Sequence, residues 1–386
     1  MLALRIGHLS LQLLAFIKTG ILKFSMMLMA RWHTWKPTVS LNEISIHKIL
    51  LIQFGGIGDM VLITPAIRML IDNYPKAKIS VLGFSKRNCS FLLNYPQVSD
   101  IKTLNIYALD MRNVLKREAW RNFIRTVLEL RKVHYDLLVS FRYLKLIDWL
   151  FFEWLLVSLC RASYRIGVNP PFLWERSIYD HWLSHLDLAG KHFSEFFCDL
   201  LAGVGIPEAT CQTEFPLTVT SKESVNRYLS VVSGEAKVVC IHPGGARLKL
   251  EAEAWDLKNY LVIVEGLLRK GLFIAVLGAD NEIAETRALI AAAKENVVDL
   301  VGKTSIAEMA AVIKRSKLFI GNDSGPFHVA VAVGTPAIGI FPRTVDEPEY
   351  YRYNSKNVHV FRKQGPEGIS ADKVLEKAKE LLALKG

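Results

Sequence analysis

An acidic residue, Asp59, follows a glycine-rich turn where an apolar run gives way to a helical pattern. Residues 48–75 read KILLIQFGGIGDMVLITPAIRMLIDNYP, and Gly56 and Gly58 let the backbone of this turn approach a ligand closely. Such turns commonly bind phosphate, but a carboxylate here would repel a diphosphate. We therefore interpret Asp59 as a group that accepts a proton from a hydroxyl, with helix capping as the alternative role.

The dinucleotide-binding fingerprint fails in this turn, because it needs a glycine where the sequence has Val61. Thr64 and Pro65 suit the cap and the first residue of a helix. The sequence thus predicts that Asp59 lies on the turn before this helix, and it disfavours a nicotinamide oxidoreductase.

Two further turns combine small residues with groups that favour anions. One follows the strand-like run 238–242, and the other links the run 317–321 to a capped helix that begins with proline. Backbone N–H groups at a helix start suit a diphosphate, although capping alone would explain the same residues. The candidate anion-binding residues are Gly244, Gly245, Arg247, Lys249, Asp323, Ser324 and Gly325.

Two more side chains at predicted strand ends have open roles. His242 either contacts the anion or, as we favour, holds its turn. Glu282 follows the run 272–278, where a carboxylate suits the hydroxyls of a ribose. A solvated acid in the first turn of a helix is the commoner role for such a residue.

Apolar strand-like runs alternate with helical patterns from residue 48 onwards, which predicts two α/β domains with parallel sheets. Their ligand turns would meet in one cleft. We expect an N-terminal domain over 44–215, a C-terminal domain over 230–370 and a final helix over 371–386, with a break in the pattern near 215–235. The predicted strands are 48–54, 77–83, 136–141, 238–242, 272–278, 317–321 and 336–341, and the predicted helices are 112–134, 257–270, 283–294 and 305–315.

Residues 1–43 are apolar and basic, but their longest uncharged stretch is shorter than the roughly 20 residues that span a bilayer. We expect an amphipathic helix on an anionic membrane surface or a helix packed on the protein. The aromatic segment 141–161 predicts a buried helix, with a lipid-facing surface as the alternative.

The formal charge of +11 favours anionic partners. The cations are spread along the chain and accompany no nucleic-acid-binding motif, so we expect no nucleic-acid partner. Five scattered cysteines without C-x-x-C spacing argue against a disulfide framework or a zinc site and for a reducing compartment.

Three segments in this order resemble the motifs of glycosyltransferase family 9, the heptosyltransferase family: ILLIQFGGIGDMVLITPAIRMLIDNYP, IHPGG and LFIGNDSGPFHVAVAVGTPAIGIF. The resemblance spans about residues 46–345. It implies the GT-B architecture, with two facing Rossmann-like domains, and an inverting transfer that needs no metal or other cofactor. Family members of the lipopolysaccharide-core type transfer heptose from ADP-heptose to a lipid-linked sugar at the cytoplasmic face of the inner membrane.

The resemblance also implies roles for individual residues. Asp59 matches the proposed general base, Ser324 and Gly325 match the diphosphate-binding turn, and Glu282 matches the ribose-binding acid. His328 matches the motif histidine, which would either touch the phosphates or support the turn.

Two departures from the family pattern bear on the donor. Glu253 and Ala254 precede Trp255, where the family commonly has a lysine that contacts phosphate, so Arg247 or Lys249 would supply that charge. After the last predicted strand, FPRTVDEP stands where the family has GPTDP.

These observations predict an inverting, metal-independent glycosyltransferase that moves heptose from ADP-heptose to a lipid-linked or cell-surface saccharide. One alternative is a transferase of the same fold that uses another nucleotide-sugar for O-antigen, capsule or protein glycosylation. The other is a non-catalytic nucleotide-sugar-binding partner. The expected location is cytoplasmic and peripheral on the inner membrane.

Overall fold

The computed structural model divides into two compact units, each containing one parallel sheet. The first unit comprises Met1–Gly55, Ala66–Ala189 and Glu195–Ala209, and the second comprises Gly56–Pro65, Gly190–Ser194 and Thr210–Gly386. Asp59 therefore belongs to the second unit, although it follows the first strand of the first. The structure describes residues 19–31, 40–109, 117–142, 147–169, 177–184, 187, 190–207, 210–230, 232, 237–244, 255–292, 296–341, 353, 355–363 and 368–383.

The first sheet contains six parallel strands. They are β1 (Lys48–Gln53), β2 (Lys78–Gly83), β3 (Val98–Thr103), β4 (Tyr135–Ser140), β5 (Ala162–Asn169) and β6 (His181–Ser184). Their order across the sheet is β3-β2-β1-β4-β5-β6. The central strand β1 is buried at every residue after Lys48, as expected for a strand covered on both faces.

The second sheet repeats this plan with six more parallel strands. They are β7 (Val238–His242), β8 (Phe273–Val276), β9 (Val297–Asp299), β10 (Leu318–Asn322), β11 (Ala337–Phe341) and β12 (Val358–Arg362). Their order is β12-β11-β10-β7-β8-β9. In each sheet the order reverses between the first and fourth strands, which is where open α/β sheets bind ligands. The predicted parallel α/β architecture is confirmed.

The helices follow the strands in the alternation that the sequence predicts. They are α1 (residues 19–31), α2 (Ile57–Leu62), α3 (Thr64–Asn73), α4 (Lys86–Cys89), α5 (Arg117–Arg131), α6 (Ile147–Leu159), α7 (Phe193–Ala202), α8 (Val219–Tyr228), α9 (Leu257–Leu268), α10 (Ile283–Ala292), α11 (Ile306–Arg315), α12 (Gly325–Ala332) and α13 (Ala371–Leu381). The stretch 215–235, expected as a break, contains α8, which Thr218 caps by accepting a hydrogen bond from the Ser221 N–H. No helix in the described ranges is long and apolar enough to cross a bilayer.

Two segments for which the sequence left a membrane-facing and a buried helix open, residues 1–43 and 141–161, contribute helices to the core of the first unit. Met26 and Ala30 of α1 are fully buried there, while residues 1–18 and 32–39 lie outside the described part of the chain. Helix α6 buries Trp154, Leu156 and Val157 in the same core, so the buried helix predicted within 141–161 is confirmed.

Two of the five cysteines differ from the sequence expectation. Cys198 and Cys211 are disulfide-bonded, whereas Cys89, Cys160 and Cys240 are free and buried. Burial raises the pKa of each free thiol to about 12, which makes these thiols poor nucleophiles. The sequence argument against disulfides was wrong for this pair. A helix and the loop after it bring Cys198 and Cys211 together, and the absence of C-x-x-C spacing does not exclude such a pairing.

A buried ion pair lies at the carboxyl end of β4, beside the end of β1. The Arg142 Nε atom is 3.1 Å from Glu153 Oε2, and both side chains are 2% exposed. The Ser140 and Tyr179 hydroxyls donate to the other oxygen of Glu153. The Arg142 guanidinium also stacks 4.7 Å from the centre of the Phe54 ring, so this pair fixes the residue that leads into the glycine turn. Burial raises the pKa of Glu153, and the charge of Arg142 opposes that rise.

We predict that Arg142→Met lowers the free energy of unfolding by about 3–5 kcal/mol, because it leaves the Glu153 carboxylate buried without its cation. Urea titration measures this loss. The deficit should shrink as the pH falls, since loss of the cation raises the pKa of Glu153 further and protonation then neutralises the carboxyl. The double variant R142M/E153L should regain a large part of the stability.

The exposed pair Arg68 and Asp72, 3.9 Å apart on α3, supplies the control. Arg68→Met should cost less than about 1 kcal/mol. An R142M loss as small as that of R68M would contradict a structural role for the buried pair.

Candidate active site

Asp59 lies within a helix rather than on the turn before one. The sequence predicted a helix beginning at Thr64 and Pro65, but α2 already spans Ile57–Leu62, with Gly56 as its N-cap residue. The Thr64 hydroxyl donates to the Val61 carbonyl at 2.7 Å, which closes α2 just as α3 begins. The predicted helix start at Thr64 is confirmed by α3. The predicted position of Asp59 on a turn was wrong, because the six-residue helix α2 is too short to leave a periodic apolar pattern.

The Asp59 carboxylate is held on one side only. Its Oδ2 atom accepts a hydrogen bond of 2.7 Å from the Gly56 N–H, so the side chain does cap α2. The residue is half-buried, and its Oδ1 atom accepts no hydrogen bond from the described residues. The capping role weighed from the sequence is therefore confirmed, and the role of Asp59 as a proton acceptor stays a prediction.

Helix α2 packs against the start of α12 within the second unit. A Cβ atom added to Gly58 would lie 2.6 Å from Cδ2 of the His328 ring. A Cβ atom added to Gly325 would overlap the Ile57 side chain. Glycine at both positions allows the Asp59 helix to approach the Asp323–Gly325 turn at backbone distance.

His328 supports this contact from the buried side. The residue is 5% exposed, and its Nδ1 atom is hydrogen-bonded to the Tyr353 hydroxyl. Its Nε2 atom lies 3.9 Å from Oδ1 of Asp323. Of the two roles open from the sequence, burial favours support of the turn over contact with phosphate.

The start of α12 has the backbone geometry of an anion site. Ser324 is the N-cap residue in extended conformation, and its side chain does not cap the helix. Its Oγ atom is instead 3.1 Å from the His242 Nδ1 atom. The first N–H groups of a helix have no intrahelical acceptor, and Pro326 removes one of them. The N–H groups of Ser324 and Gly325 therefore mark the place where this turn would receive an oxyanion.

His242 and Glu282 continue this chain of contacts behind the turn. His242 Nε2 lies 3.4 Å from Glu282 Oε2, which also accepts a 2.7 Å hydrogen bond from the Ala279 N–H. Glu282 is only 8% exposed, and a Cβ atom on Gly244 would collide with its carboxylate. The structural role favoured for His242 agrees with these contacts. The contacts of Glu282 with Ala279 and His242 indicate a structural role, and the ribose role stays a prediction.

The side-chain amide of Asn322 fixes the end of β10, just before the turn at Ser324 and Gly325. Asn322 is 1% exposed, and its Nδ2 atom donates to the Pro243 carbonyl. Its Oδ1 atom accepts a 2.8 Å hydrogen bond from the Tyr260 hydroxyl. Asn322 thereby ties the two switch-point turns, after β7 and after β10, to each other.

Sequence reasoning missed Tyr353, which contacts His328, and His192, which contacts Tyr353. The rings of His192 and Tyr353 have centroids 4.5 Å apart, and Tyr353 contacts Phe327 as well as His328. Burial lowers the pKa of His192 to about 4, so this ring is neutral at physiological pH. No local pattern marks either residue, because both lie far along the chain from His328.

Three candidate donor residues, Gly245, Arg247 and Lys249, lie outside the described residues, as do Glu253 and Ala254. Within the described ranges, no group of three or more His, Cys, Asp or Glu side chains could hold a metal ion.

Solved structures with the same two-sheet architecture support the fold assignment. The glycosyl transferase family 9 structure from Veillonella parvula DSM 2008 superimposes with a TM-score of 0.70 at 15% identity, covering 88% of this chain and 98% of that one. The Escherichia coli ADP-heptose lps heptosyltransferase II gives 0.66 at 20% identity, covering 87% and 98%. The fold therefore belongs to the GT-B class of double Rossmann-like proteins.

Sequence comparison gives the family. The model of glycosyltransferase family 9 (heptosyltransferase) matches residues 175–379, more than half of the chain. The chain belongs to glycosyltransferase family 9 and is a glycosyltransferase. It is similar to lipopolysaccharide heptosyltransferase 3 of Escherichia coli, with 28% identity over 301 residues that cover 74% of this chain and 81% of the relative. It is also similar to the lipopolysaccharide core heptosyltransferase OpsX of Haemophilus influenzae, with 19% identity covering 76% and 78%.

We predict that Gly58→Ala lowers transferase turnover by about a hundredfold, because the added Cβ must displace either α2 or the His328 ring, and an ångström of misplacement has a cost of this size. Steady-state kinetics measures the effect, and circular dichroism checks folding. Gly56→Ala is the matched control, since a Cβ at Gly56 would only meet Asp59 Oδ2 at 3.7 Å. Equal activity of the two variants would contradict a functional role for the close packing at Gly58.

Proposed function

We propose that the protein is an inverting, metal-independent heptosyltransferase that moves heptose from ADP-heptose to a lipid-linked saccharide of the lipopolysaccharide core. The observation that carries the catalytic part is the one-sided anchoring of Asp59 beside the turn at Ser324 and Gly325. The identity of the sugar donor is inferred from similarity. One structure of the Escherichia coli heptosyltransferase WaaC, which has the same fold, contains ADP, and another contains ADP-2-deoxy-2-fluoro heptose. The acceptor part draws on the lipopolysaccharide heptosyltransferases named above.

The proposed reaction is a single displacement. The free Oδ1 atom of Asp59 accepts the proton of an acceptor hydroxyl, whose oxygen attacks the anomeric carbon of the donor. The bond from that carbon to the β-phosphate oxygen breaks, and the electron pair leaves with ADP. The N–H groups of Ser324 and Gly325, at the positive end of α12, stabilise the charge that develops on the leaving diphosphate. Attack opposite the leaving group inverts the anomeric centre.

His242, Glu282 and His328 act as positioning residues in this proposal. Ser324 contacts His242, which contacts Glu282, so the side chain of the N-cap residue is turned away from the helix N–H groups. Those N–H groups then remain available to the donor. No step requires a metal ion, because helix dipole and amide hydrogen bonds take the role that a cation would have at the diphosphate.

We predict that Asp59→Asn lowers turnover by about 10²–10⁴-fold, the usual contribution of a general base. Its dissociation constant for ADP, measured by calorimetry, should stay within about twofold of the unsubstituted protein, because the amide oxygen still accepts the Gly56 N–H. Asp72→Asn, at an exposed acid on α3, is the matched control and should retain full activity. The assay compares turnover of ADP-heptose with turnover of UDP- and GDP-sugars, all in the presence of EDTA.

The outcomes distinguish catalysis by Asp59 from its alternative roles, and ADP-heptose from other donors. Loss of ADP affinity together with turnover in D59N would contradict the base and assign Asp59 to donor binding. Full activity in D59N would favour a non-catalytic role for this residue. Turnover only with another nucleotide-sugar, or only with added metal, would overturn the donor or the metal-independent part.

A further inference from the structure

The two ring nitrogens of the buried His328 face different partners. Its Nδ1 atom is hydrogen-bonded to the Tyr353 hydroxyl. Its Nε2 atom lies 3.9 Å from Oδ1 of Asp323. One side of the imidazole ring therefore meets a neutral hydroxyl, and the other side lies near a carboxylate.

These two partners favour the same tautomer of His328. A neutral imidazole carries one proton, and the hydrogen bond at one nitrogen determines which nitrogen holds it. A proton on Nε2 places the positive end of an N–H bond near the Asp323 carboxylate, whereas a lone pair there would be repelled by the negative charge. Nδ1 is then the acceptor, and the Tyr353 hydroxyl donates to it.

The orientation of the His328 ring matters because another part of the ring contacts α2. A Cβ atom on Gly58 would lie 2.6 Å from Cδ2 and 3.3 Å from Nε2 of His328. A half-turn of the ring about its Cβ–Cγ bond would exchange Nδ1 with Cδ2, and the Tyr353 hydroxyl would then meet a C–H group instead of an acceptor. The hydroxyl therefore fixes the ring orientation that packs beneath Gly58, the residue before Asp59.

Tyr353 is itself held by two neighbouring rings. The centroid of its ring lies 4.5 Å from that of His192 and 5.5 Å from that of the buried Phe327. His192 is fixed in turn, because its Nδ1 atom is 2.7 Å from the Ser194 hydroxyl. All of these residues belong to the second unit, together with α2. The Tyr353 hydroxyl thus reaches His328 from a packed support.

We propose that Tyr353 is a positioning residue whose hydroxyl holds His328 as the Nε2–H tautomer, so that the ring fixes α2 and with it Asp59. The catalytic part of this proposal rests on the proposed function, in which Asp59 is the general base. The structural part stands apart from it, because the tautomer of His328 can be measured without donor or acceptor.

The turn that would bind the diphosphate has supports of its own. Ser324 contacts His242, and Asn322 donates to the Pro243 carbonyl. Removal of the Tyr353 hydroxyl should therefore disturb the placement of Asp59 more than the affinity for ADP. A loss of turnover without a loss of ADP affinity distinguishes positioning of the base from general stabilisation of the second unit.

The first test is Tyr353→Phe, which keeps the aromatic ring and removes the hydroxyl. We expect kcat to fall by about tenfold, the size of one net hydrogen bond. The Kd for ADP, measured by calorimetry, should change by less than about twofold. Unchanged kcat, or an equal loss of ADP affinity, would overturn the proposal.

Tyr228→Phe is the matched control for the loss of a hydroxyl. The Tyr228 hydroxyl donates to the Lys303 carbonyl at 2.9 Å elsewhere in the second unit, and its removal should leave kcat unchanged. Circular dichroism and thermal unfolding check that each variant is folded. A tenfold loss of kcat in Y228F as well would overturn a specific role for Tyr353.

A double-variant cycle tests whether the hydroxyl acts through the histidine. His328→Gln keeps a polar group near the Nε2 position and lacks the Nδ1 acceptor. Y353F/H328Q should therefore turn over no more slowly than H328Q alone, since the hydroxyl has already lost its partner. Losses that multiply in the double variant would show that the two residues act independently, which contradicts the proposal.

NMR of protein labelled with ¹⁵N-histidine measures the tautomer directly and needs no activity. We expect His328, assigned by its absence in H328Q, to carry its proton on Nε2, and its Nδ1 resonance to move in Y353F. A proton on Nδ1 in the unsubstituted protein, or an unmoved Nδ1 resonance in Y353F, would overturn the proposal. Full activity of D59N would overturn the base and the catalytic part here, whereas a failure confined to Y353F would leave the base intact.

Discussion

The packing of α2 on the first turn of α12 is the constraint on which the site depends. It brings two helix N-termini together. One is the start of α2, which carries Asp59, and the other is the start of α12 at Ser324 and Gly325. Only glycine at 58 and 325 allows this approach, because a Cβ at either position meets a neighbouring side chain. His328 fills the space beneath Gly58 and is itself held by Tyr353.

This packing also bears on how a carboxylate could lie beside the turn that we propose binds the diphosphate. Asp59 sits in the first turn of its own helix, where the backbone dipole stabilises negative charge and the Gly56 N–H binds one oxygen. The N–H groups of α12 are directed by a separate helix. In the proposed site, the carboxylate and the diphosphate would thus each have their own N–H donors, which would offset the repulsion between them.

The central strands and the turns after them could be predicted, because burial on both faces leaves continuous apolar runs such as those of β1, β7 and β10. Strands β3, β6, β9 and β12 escaped prediction, since they are the sheet edges and are only partly buried. The interior strand β5 also escaped it, because its sequence ASYRIGVN mixes polar and apolar residues and forms no continuous apolar run. In the candidate site, glycine and proline chemistry predicted Asp59, Ser324 and Gly325, whose roles in binding and catalysis stay predictions. Residues that support them through tertiary contact, such as Tyr353 and His192, leave no such local pattern.

Short-range features were the least predictable. Helix α2 has too few residues for a period to emerge, and the pairing state of Cys198 and Cys211 depends on how the chain folds back after α7. The role of His328 illustrates the same limit, because a motif position cannot distinguish a residue that touches a ligand from one that supports the turn. Burial and contacts make that distinction.

The most direct measurement of the central claim is a crystal structure of the protein with bound ADP. The account predicts that diphosphate oxygens accept hydrogen bonds from the N–H groups of Ser324 and Gly325 while Asp59 keeps its bond to the Gly56 N–H. Phosphates bound away from the start of α12, or an Asp59 carboxylate with both oxygens taken up by protein donors, would contradict it.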